Sequence, residues 1–320
     1  MHSPEQLQQI LETEIAKLKY PNVPASLYEP ITYILSLGGK RIRPTLLLMA
    51  AELFTDRLEE ATKVAMAIEM FHNFTLVHDD IMDKAPLRRG KTTIHEKWDE
   101  NTAILVGDVM MVETNKHLSE APLPVLKKVL DVFNLIAQWV CEGQQLDMEF
   151  EQRSDVSIDE YIEMIRKKTA VLLGGAMQLG AIVAGADDKN AELLYQFGEN
   201  LGVAFQLQDD ILDVYGDPEK FGKQVGGDII SNKKTYLHLK AKALINVDEA
   251  DILLGEHQSN TDKVKAVTLL YNNYGIKELA STQMEHYLAK SFQALDNLNV
   301  AEDRKSNLRE LAKQIMERES

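Results

Sequence analysis

An all-α fold is what this chain predicts, and three observations carry the prediction. Apolar residues recur at three- and four-residue spacing nearly throughout, as in Leu46, Met49, Ala50 and Leu53, or Tyr161, Ile162 and Ile165. Only nine prolines occur, and none lies between Pro124 and Pro218. Alternating runs flanked by turn residues, the mark of strands, are absent. The first expected helices cover 4–18 and 26–37. After the Gly38-Gly39 turn, Pro44 is placed to start the next, 43–55. Helices 58–82, ending ahead of Pro86, then 100–118 and 123–150 follow. The helix 158–184 holds most of the longest apolar stretch, Ala170 to Ala186. That stretch sits at the short limit for a membrane span, carries Gln178 and four glycines, and abuts Arg166-Lys167-Lys168. It reads as a buried helix with small residues for close packing. Helix 188–214 is closed by Gly216-Asp217-Pro218, and 233–246, 261–273, 275–296 and 301–318 complete the set. Loops fall at 84–99, 215–232 and 247–260. No linker rich in Pro, Gly or Ser divides the chain, so residues 1–320 read as a single domain.

Composition narrows the function classes. Hydrophobic content of 45% and charged content of 27% over 320 residues describe a globular chain that buries most of its apolar surface. The net charge of −15 argues against nucleic acid as a partner. An anionic substrate is compatible only with a local basic cluster. Cys141 is the single cysteine, so no internal disulfide forms. That fits a reducing, cytoplasmic setting. The start, Met1-His2-Ser3-Pro4-Glu5, shows no basic region followed by an apolar run, so neither a signal peptide nor stable membrane insertion is expected.

The chemistry is concentrated in two acidic words, Asp79-Asp80-Ile81-Met82-Asp83 and Asp209-Asp210-Ile211-Leu212-Asp213. Both read D-D-x-x-D. Positions i and i+4 share a helix face, so Asp79 stands beside Asp83 and Asp209 beside Asp213. Both words end helices, where the partial negative charge disfavours crowded carboxylates. One such word is commonly a solvated cap. Two, each led in by apolar residues (Phe71, Phe74, Val77; Val203, Phe205, Leu207), call for cations. Hard divalent ions with oxygen ligands, bridging to phosphate, fit best, and Mg2+ is the leading choice. Two carboxylate walls across a metal-diphosphate cluster are therefore expected.

The basic complement is present. Gly38-Gly39-Lys40-Arg41-Ile42-Arg43-Pro44 combines a tight turn, a point charge at Lys40 and a planar fork at Arg43. Arg88-Arg89-Gly90 follows the first acidic word, and Lys223, Lys233, Lys234-Thr235 follow the second. Lys167-Lys168-Thr169 adds a further cluster. Any one alone is a solvated basic loop, but two directly follow the acidic words. His72 lies two turns before Asp79 and completes Glu69-Met70-Phe71-His72, while His78 adjoins the acids. A core histidine bonded to a neighbour is the plain reading of either. A di-iron site needs two E-x-x-H words, and only this one is present.

Together these pieces resemble the trans-prenyltransferases, the (E)-isoprenyl diphosphate synthases, over about residues 30–240. The family order is G-G-K-R-x-R-P, E-x-x-H, D-D-x-x-D, R-R-G, G-Q-x-x-D, K-T, F-Q-x-x-D-D-x-x-D and G-K-x-x-G-x-D-x-x-x-x-K-K-T. All are present, the G-Q-x-x-D word as Gly143-Gln144-Gln145-Leu146-Asp147 and the last as Gly222-Lys223-Gln224-Val225-Gly226-Gly227-Asp228 with Lys233-Lys234-Thr235. The resemblance implies an all-α isoprenoid-synthase bundle around a deep central cavity, working as a homodimer. It implies head-to-tail condensation of isopentenyl diphosphate with an allylic diphosphate. Asp79, Asp83 and Asp209 would then ligate three Mg2+ on the allylic diphosphate, with Asp213 nearby. Arg88, Lys168, Lys223 and Lys233 would hold that diphosphate, and Lys40, Arg43, His72 and Arg89 would hold isopentenyl diphosphate. Thr169, Phe205 and Gln206 would sit beside the reacting carbons, with departing diphosphate taking the proton.

Product length rests on Phe74 and Thr75. Phe74 lies about 7.5 Å before Asp79 at 1.5 Å per residue. The aromatic-then-small pair, without an insertion in the first acidic word, resembles archaeal-type geranylgeranyl synthases and favours a C15 to C20 product. The competing readings are a longer-chain polyprenyl synthase, a terpene cyclase, which normally lacks the G-G-K-R-x-R-P word, and a non-catalytic partner subunit, which generally loses an acidic word.

Overall fold

The computed structural model describes residues 1–217, 226–246, 249–255 and 257–316. Helices dominate, as the spacing requires. They are α1 (Pro4–Lys17), α2 (Ala25–Ser36), α3 (Ile42–Glu52), α4 (Glu59–Met82), the short α5 (Ile94–Lys97), α6 (Glu100–Leu118), α7 (Leu123–Gln152) and α8 (Ile158–Ile165). A π-helical turn, Arg166–Ala170, leads into α9 (Val171–Val183). Then come α10 (Asp188–Tyr215), α11 (Gly227–Ile230), α12 (Tyr236–Leu244), α13 (Ala250–Leu254), α14 (Asn260–Asn273), α15 (Ile276–Asp296) and α16 (Glu302–Met316).

Helix starts are written in local chemistry. Ser3 and Gln6 form a capping box under Pro4, and Ser157 and Glu160 form another for α8. Asp99, Thr235 and Ser259 accept backbone N–H bonds at the heads of α6, α12 and α14. The Thr235 cap is why α12 begins at Tyr236 rather than at the expected 233.

Three further departures matter. The expected loop 84–99 contains a two-stranded antiparallel hairpin, Leu87–Arg88 with Lys91–Thr92, and α5. Its turn residues Arg89 and Gly90 both have positive φ, at 52° and 71°, which suits the twist of a two-residue hairpin. Strands of two residues are too short to show an alternating pattern. Second, the expected helix 158–184 is interrupted by the π turn. Third, the loops 215–232 and 247–260 contain α11 and α13.

The chain forms two contact units. The first comprises Met1–Leu135, Gly175–Tyr195 and Leu298–Leu308; the second comprises Ile136–Gly174, Gln196–Asn297 and Arg309–Ser320. In the first, α2, α4 and α6 share a core of Ile31, Ile34, Met70, Val77, Val106 and Met110. Close approach depends on Gly107, where a Cβ would lie 2.2 Å from His78 Nε2, and Gly180, where it would lie 2.1 Å from the Leu47 carbonyl oxygen. In the second, Tyr161, Ile165, Leu207, Leu237, Tyr271 and Ile276 anchor the core. Among the described residues no helix is long and apolar enough to cross a membrane.

Candidate active site

In the first unit α4 carries Glu69, His72, Phe74, Thr75, Asp79 and Asp80, and Asp83 is its C-cap. Asp79 is half-buried and Asp83 exposed. Asp80, turned about 100° from Asp79, faces inward and is 2% exposed. A buried carboxylate needs a partner. Arg88 supplies it, with Nε 2.8 and 2.9 Å from the two carboxylate oxygens. The hairpin therefore aims Arg88 back at the first acidic word.

The Gly38-Gly39 turn meets the other half of the hairpin. The Arg89 guanidinium donates to the Gly38 carbonyl, and a Cβ on Gly39 would lie 2.7 Å from its Nη2. Gly39 has a φ of 140°, which only glycine tolerates readily. Lys40 is exposed. Arg41 is instead a structural residue, 3% exposed. It donates to Glu69 at 2.5 Å, Glu12 at 2.8 Å and the Leu35 carbonyl at 2.7 Å. That explains the Glu of the E-x-x-H word as the counter-ion of Arg41.

Arg43 Nη1 donates to His72 Nε2 at 3.3 Å. Burial, then the Arg43, Arg89, Arg88 and Arg41 charges, push His72 well below its usual range, so the imidazole is neutral and accepts. Burial, aided by Arg89 and opposed by Glu69, pushes Arg43 down to about 10. Its Nε is buried without a hydrogen-bond partner. An uncommitted donor among crowded cations is what an anionic ligand would satisfy.

Phe74 is half-buried, its ring 5.5 Å from Phe71 and 4.8 Å from His78. Thr75 donates to the His72 carbonyl at 2.8 Å. His78 contacts the Ile104 carbonyl at 3.2 Å, in line with the plain reading of a core histidine.

In the second unit the π turn presents Lys168 and Thr169. Lys168 Nζ lies 2.5 Å from Asp147 Oδ2, and the Thr169 hydroxyl donates to Gln206 Oε1 at 3.3 Å. Phe205 and Gln206 are half-buried on α10, one turn before Asp209 and Asp210. Asp210 mirrors Asp80. It is 4% exposed, accepts from the Tyr161 hydroxyl at 2.5 Å and from the Tyr236 N–H at 3.3 Å. Burial, with Asp228 adding, pushes its carboxyl up to about 7. Asp213 Oδ1 accepts from the Asp228 N–H at 3.0 Å, docking the head of α11. Lys233 is exposed, and its N–H donates to the Asp228 carbonyl at 2.9 Å. Lys223 lies outside the described residues.

Sequence reasoning gave Asp80, Asp210, Asp147 and Glu69 no role. The signal for the first two was present, since the second residue of each word cannot share the outer face of the first and fifth. Asp79, Asp83, Asp209 and Asp213 supply oxygen donors only. Among the described residues, no three His, Cys, Asp or Glu side chains converge as a ready-made metal cage. Mg2+ fits such a donor set, because it takes one or two carboxylates and completes its shell with water and phosphate oxygens.

Known proteins resemble this chain over most of its length. A family model described as polyprenyl synthetase matches residues 24–274. A geranylgeranyl diphosphate synthase of Methanosarcina mazei is 36% identical over 302 residues, covering 92% of this chain and 91% of its own. A crystal structure of a geranylgeranyl pyrophosphate synthase superposes with a TM-score of 0.94 at 44% identity, over 100% of both chains. A polyprenyl synthase of Caulobacter crescentus CB15, complexed with calcium and isoprenyl diphosphate, gives a TM-score of 0.83 at 30% identity, over 99% of this chain and 95% of that one.

Proposed function

The chain belongs to the polyprenyl synthetase family, and from that premise we propose how its residues divide the work of head-to-tail condensation. It is a prenyltransferase of the short-chain type. The substrates are isopentenyl diphosphate and an allylic diphosphate, and the product is a trans-prenyl diphosphate of C15 to C20. The names carried by the relatives favour geranylgeranyl, C20.

The observation that carries the reading is the cluster of Arg43, His72 and Arg89 around the Gly38-Gly39 turn, with Arg43 Nε buried and unpartnered. It is a cationic cluster built on residues other than those of the acidic words. Two anionic substrates need two such sites. A terpene cyclase, with one diphosphate substrate, has no use for it.

Condensation begins when the allylic C1–O bond breaks and its electron pair leaves with diphosphate. Asp79, Asp83 and Asp209 would hold three Mg2+, with Asp213 close by. Bound metal supplies Lewis-acid stabilisation of the departing charge. Arg88, held by Asp80, and Lys168, Lys223 and Lys233 would grip the same diphosphate. Lys40, Arg43, His72 and Arg89 would hold isopentenyl diphosphate so that its C4 forms the new bond to C1 of the allylic cation. Thr169, Phe205 and Gln206 would offer dipoles and an aromatic face to the positive charge. The proton lost from C2 passes to an oxygen of the departed diphosphate.

One domain and a cytoplasmic homodimer complete the proposal. Each contact unit is assembled from three separate stretches of chain, which supports a single folding unit. Leu105 and Val112, one heptad apart on α6, are 56% and 54% exposed and would suit a face covered by a second copy. Mass analysis of products from the purified protein, given C5, C10 and C15 primers with isopentenyl diphosphate and Mg2+, tests the reading. C15 or C20 diphosphates support it. Cyclised hydrocarbons, no consumption of isopentenyl diphosphate, or C30 and longer chains would overturn it.

A further inference from the structure

The Gly143-Gln144-Gln145-Leu146-Asp147 word has no part in the chemistry above, yet it touches an irregular helical turn of the second unit. Arg166–Ala170 is π-helical. Such turns are rare, persist where neighbours stabilise them, and recur at functional sites. Two helices pinch this one. A Cβ on Gly143 of α7 would lie 2.2 Å from the Lys168 backbone nitrogen and 2.6 Å from its Cα. A Cβ on Gly202 of α10 would lie 2.7 Å from Ala170 Cα. Four residues beyond each glycine, on the same helix face, a side chain grips the turn. Asp147 Oδ2 lies 2.5 Å from Lys168 Nζ, and Gln206 Oε1 accepts from the Thr169 hydroxyl at 3.3 Å. The flanks are pinned as well, with Lys167 on Glu142 at 2.7 Å and Arg166 on Glu199 at 2.8 Å.

The pattern is thus used twice. A glycine admits the bulged backbone, and one helical turn later a polar side chain fixes the group that the bulge presents. Adding or removing one residue turns later side chains by about 100°. Loss of the bulge would therefore swing Lys168 and Thr169 relative to α10, which bears Gln206 and Asp209.

We propose that Gly143 and Asp147 are positioning residues for prenyl transfer: Gly143 admits the π turn and Asp147 fixes the Lys168 ammonium that the turn presents. This rests on the functional reading above. The test compares Gly143→Ala, Asp147→Asn and Asp147→Glu with a control, Gly198→Ala. In the control, a Cβ would crowd the Leu173 carbonyl at 2.8 Å without touching the turn. Gly143→Ala should lower kcat/KM for the allylic primer by at least about tenfold, because small misplacements of positioned groups are costly. KM for isopentenyl diphosphate should stay within about twofold. Asp147→Asn should raise the allylic KM, and Asp147→Glu should restore much of it. Gly198→Ala should lower Tm with kinetics near wild type. Hydrogen exchange at Lys167–Ala170 needs no substrate, and should accelerate in Gly143→Ala but not in Gly198→Ala. Equal effects of the two glycine variants on kinetics and exchange would overturn the inference. So would an Asp147→Asn protein whose change falls only on isopentenyl diphosphate. A wild type that makes no prenyl product overturns the functional reading instead, and the exchange comparison still decides the inference.

Discussion

At the scale of single residues, burial sets the charge state on which the proposed anion site depends. His72 is held neutral by burial and four arginines, so it can accept from Arg43, whose charge survives burial. Arg43→Ala should raise KM for isopentenyl diphosphate by about ten- to a hundredfold, since a charge-assisted contact to phosphate contributes roughly 1.5–3 kcal/mol. The KM of the allylic primer should change little, and steady-state kinetics with each substrate varied in turn would check it. His238 makes a separate prediction. It is 7% exposed, and burial, with Lys234, Lys242 and Lys263 adding, pushes it down to about 4. The unfolded chain takes up this proton near pH 6.5, while the folded chain resists until about pH 4. Stability is therefore fully present above pH 6.5 and falls as pH drops through that window, by up to roughly 3 kcal/mol. His238→Asn should flatten this slope in denaturant titrations run between pH 4 and 7. An unchanged slope would assign the acid sensitivity to other groups.

At the scale of elements, α4 does two jobs along its length. Its end carries the first acidic word, while Phe74, between one and two turns earlier, packs beside Phe71 and His78. If the growing tail runs along α4, Phe74 is its floor. Phe74→Ala should open about one 5.4 Å turn, enough for one more isoprene unit, and lengthen the product by at least C5. The ring is half-buried, so the stability loss should fall below the ~3–5 kcal/mol of a fully buried phenylalanine. Product analysis at a temperature where the variant remains folded separates the two effects. An unaltered product ladder would move the floor to another helix, with α6 the first candidate, because Gly107 brings it against His78.

For the whole molecule, the proposal makes catalysis depend on metal held by the carboxylates of both acidic words. Asp79→Ala and Asp209→Ala should each lower kcat by at least a hundredfold, about 2.7 kcal/mol or more of lost transition-state stabilisation. Chelation of the divalent metal should abolish turnover reversibly in the wild type. Near-normal turnover of either variant would remove that word from the metal site. Sedimentation of the wild type beside Leu105→Glu/Val112→Glu tests the second copy on α6. A dimer should dissociate in the variant, and a wild-type monomer would overturn the homodimer.

The sequence by itself determined the helical class, most helix limits to within a few residues, and the order of the acidic and basic words. Those properties are local, set by three- to four-residue spacing, caps and the i, i+4 geometry of carboxylates. It could not separate neighbours within a word. Arg41 and Arg43 look alike in G-G-K-R-x-R-P, yet one is consumed by Glu69 and Glu12 while the other keeps an unpartnered donor. Asp79 and Asp80 differ only in which face of α4 they occupy. The π turn left no mark either, because 158–184 reads as one continuous helix. Only tertiary structure decided these points, since ion pairs such as Lys168 with Asp147 join residues far apart in the chain. The space left by Gly143 and Gly202, more than the intrinsic preference of Arg166–Ala170, is what admits the bulge.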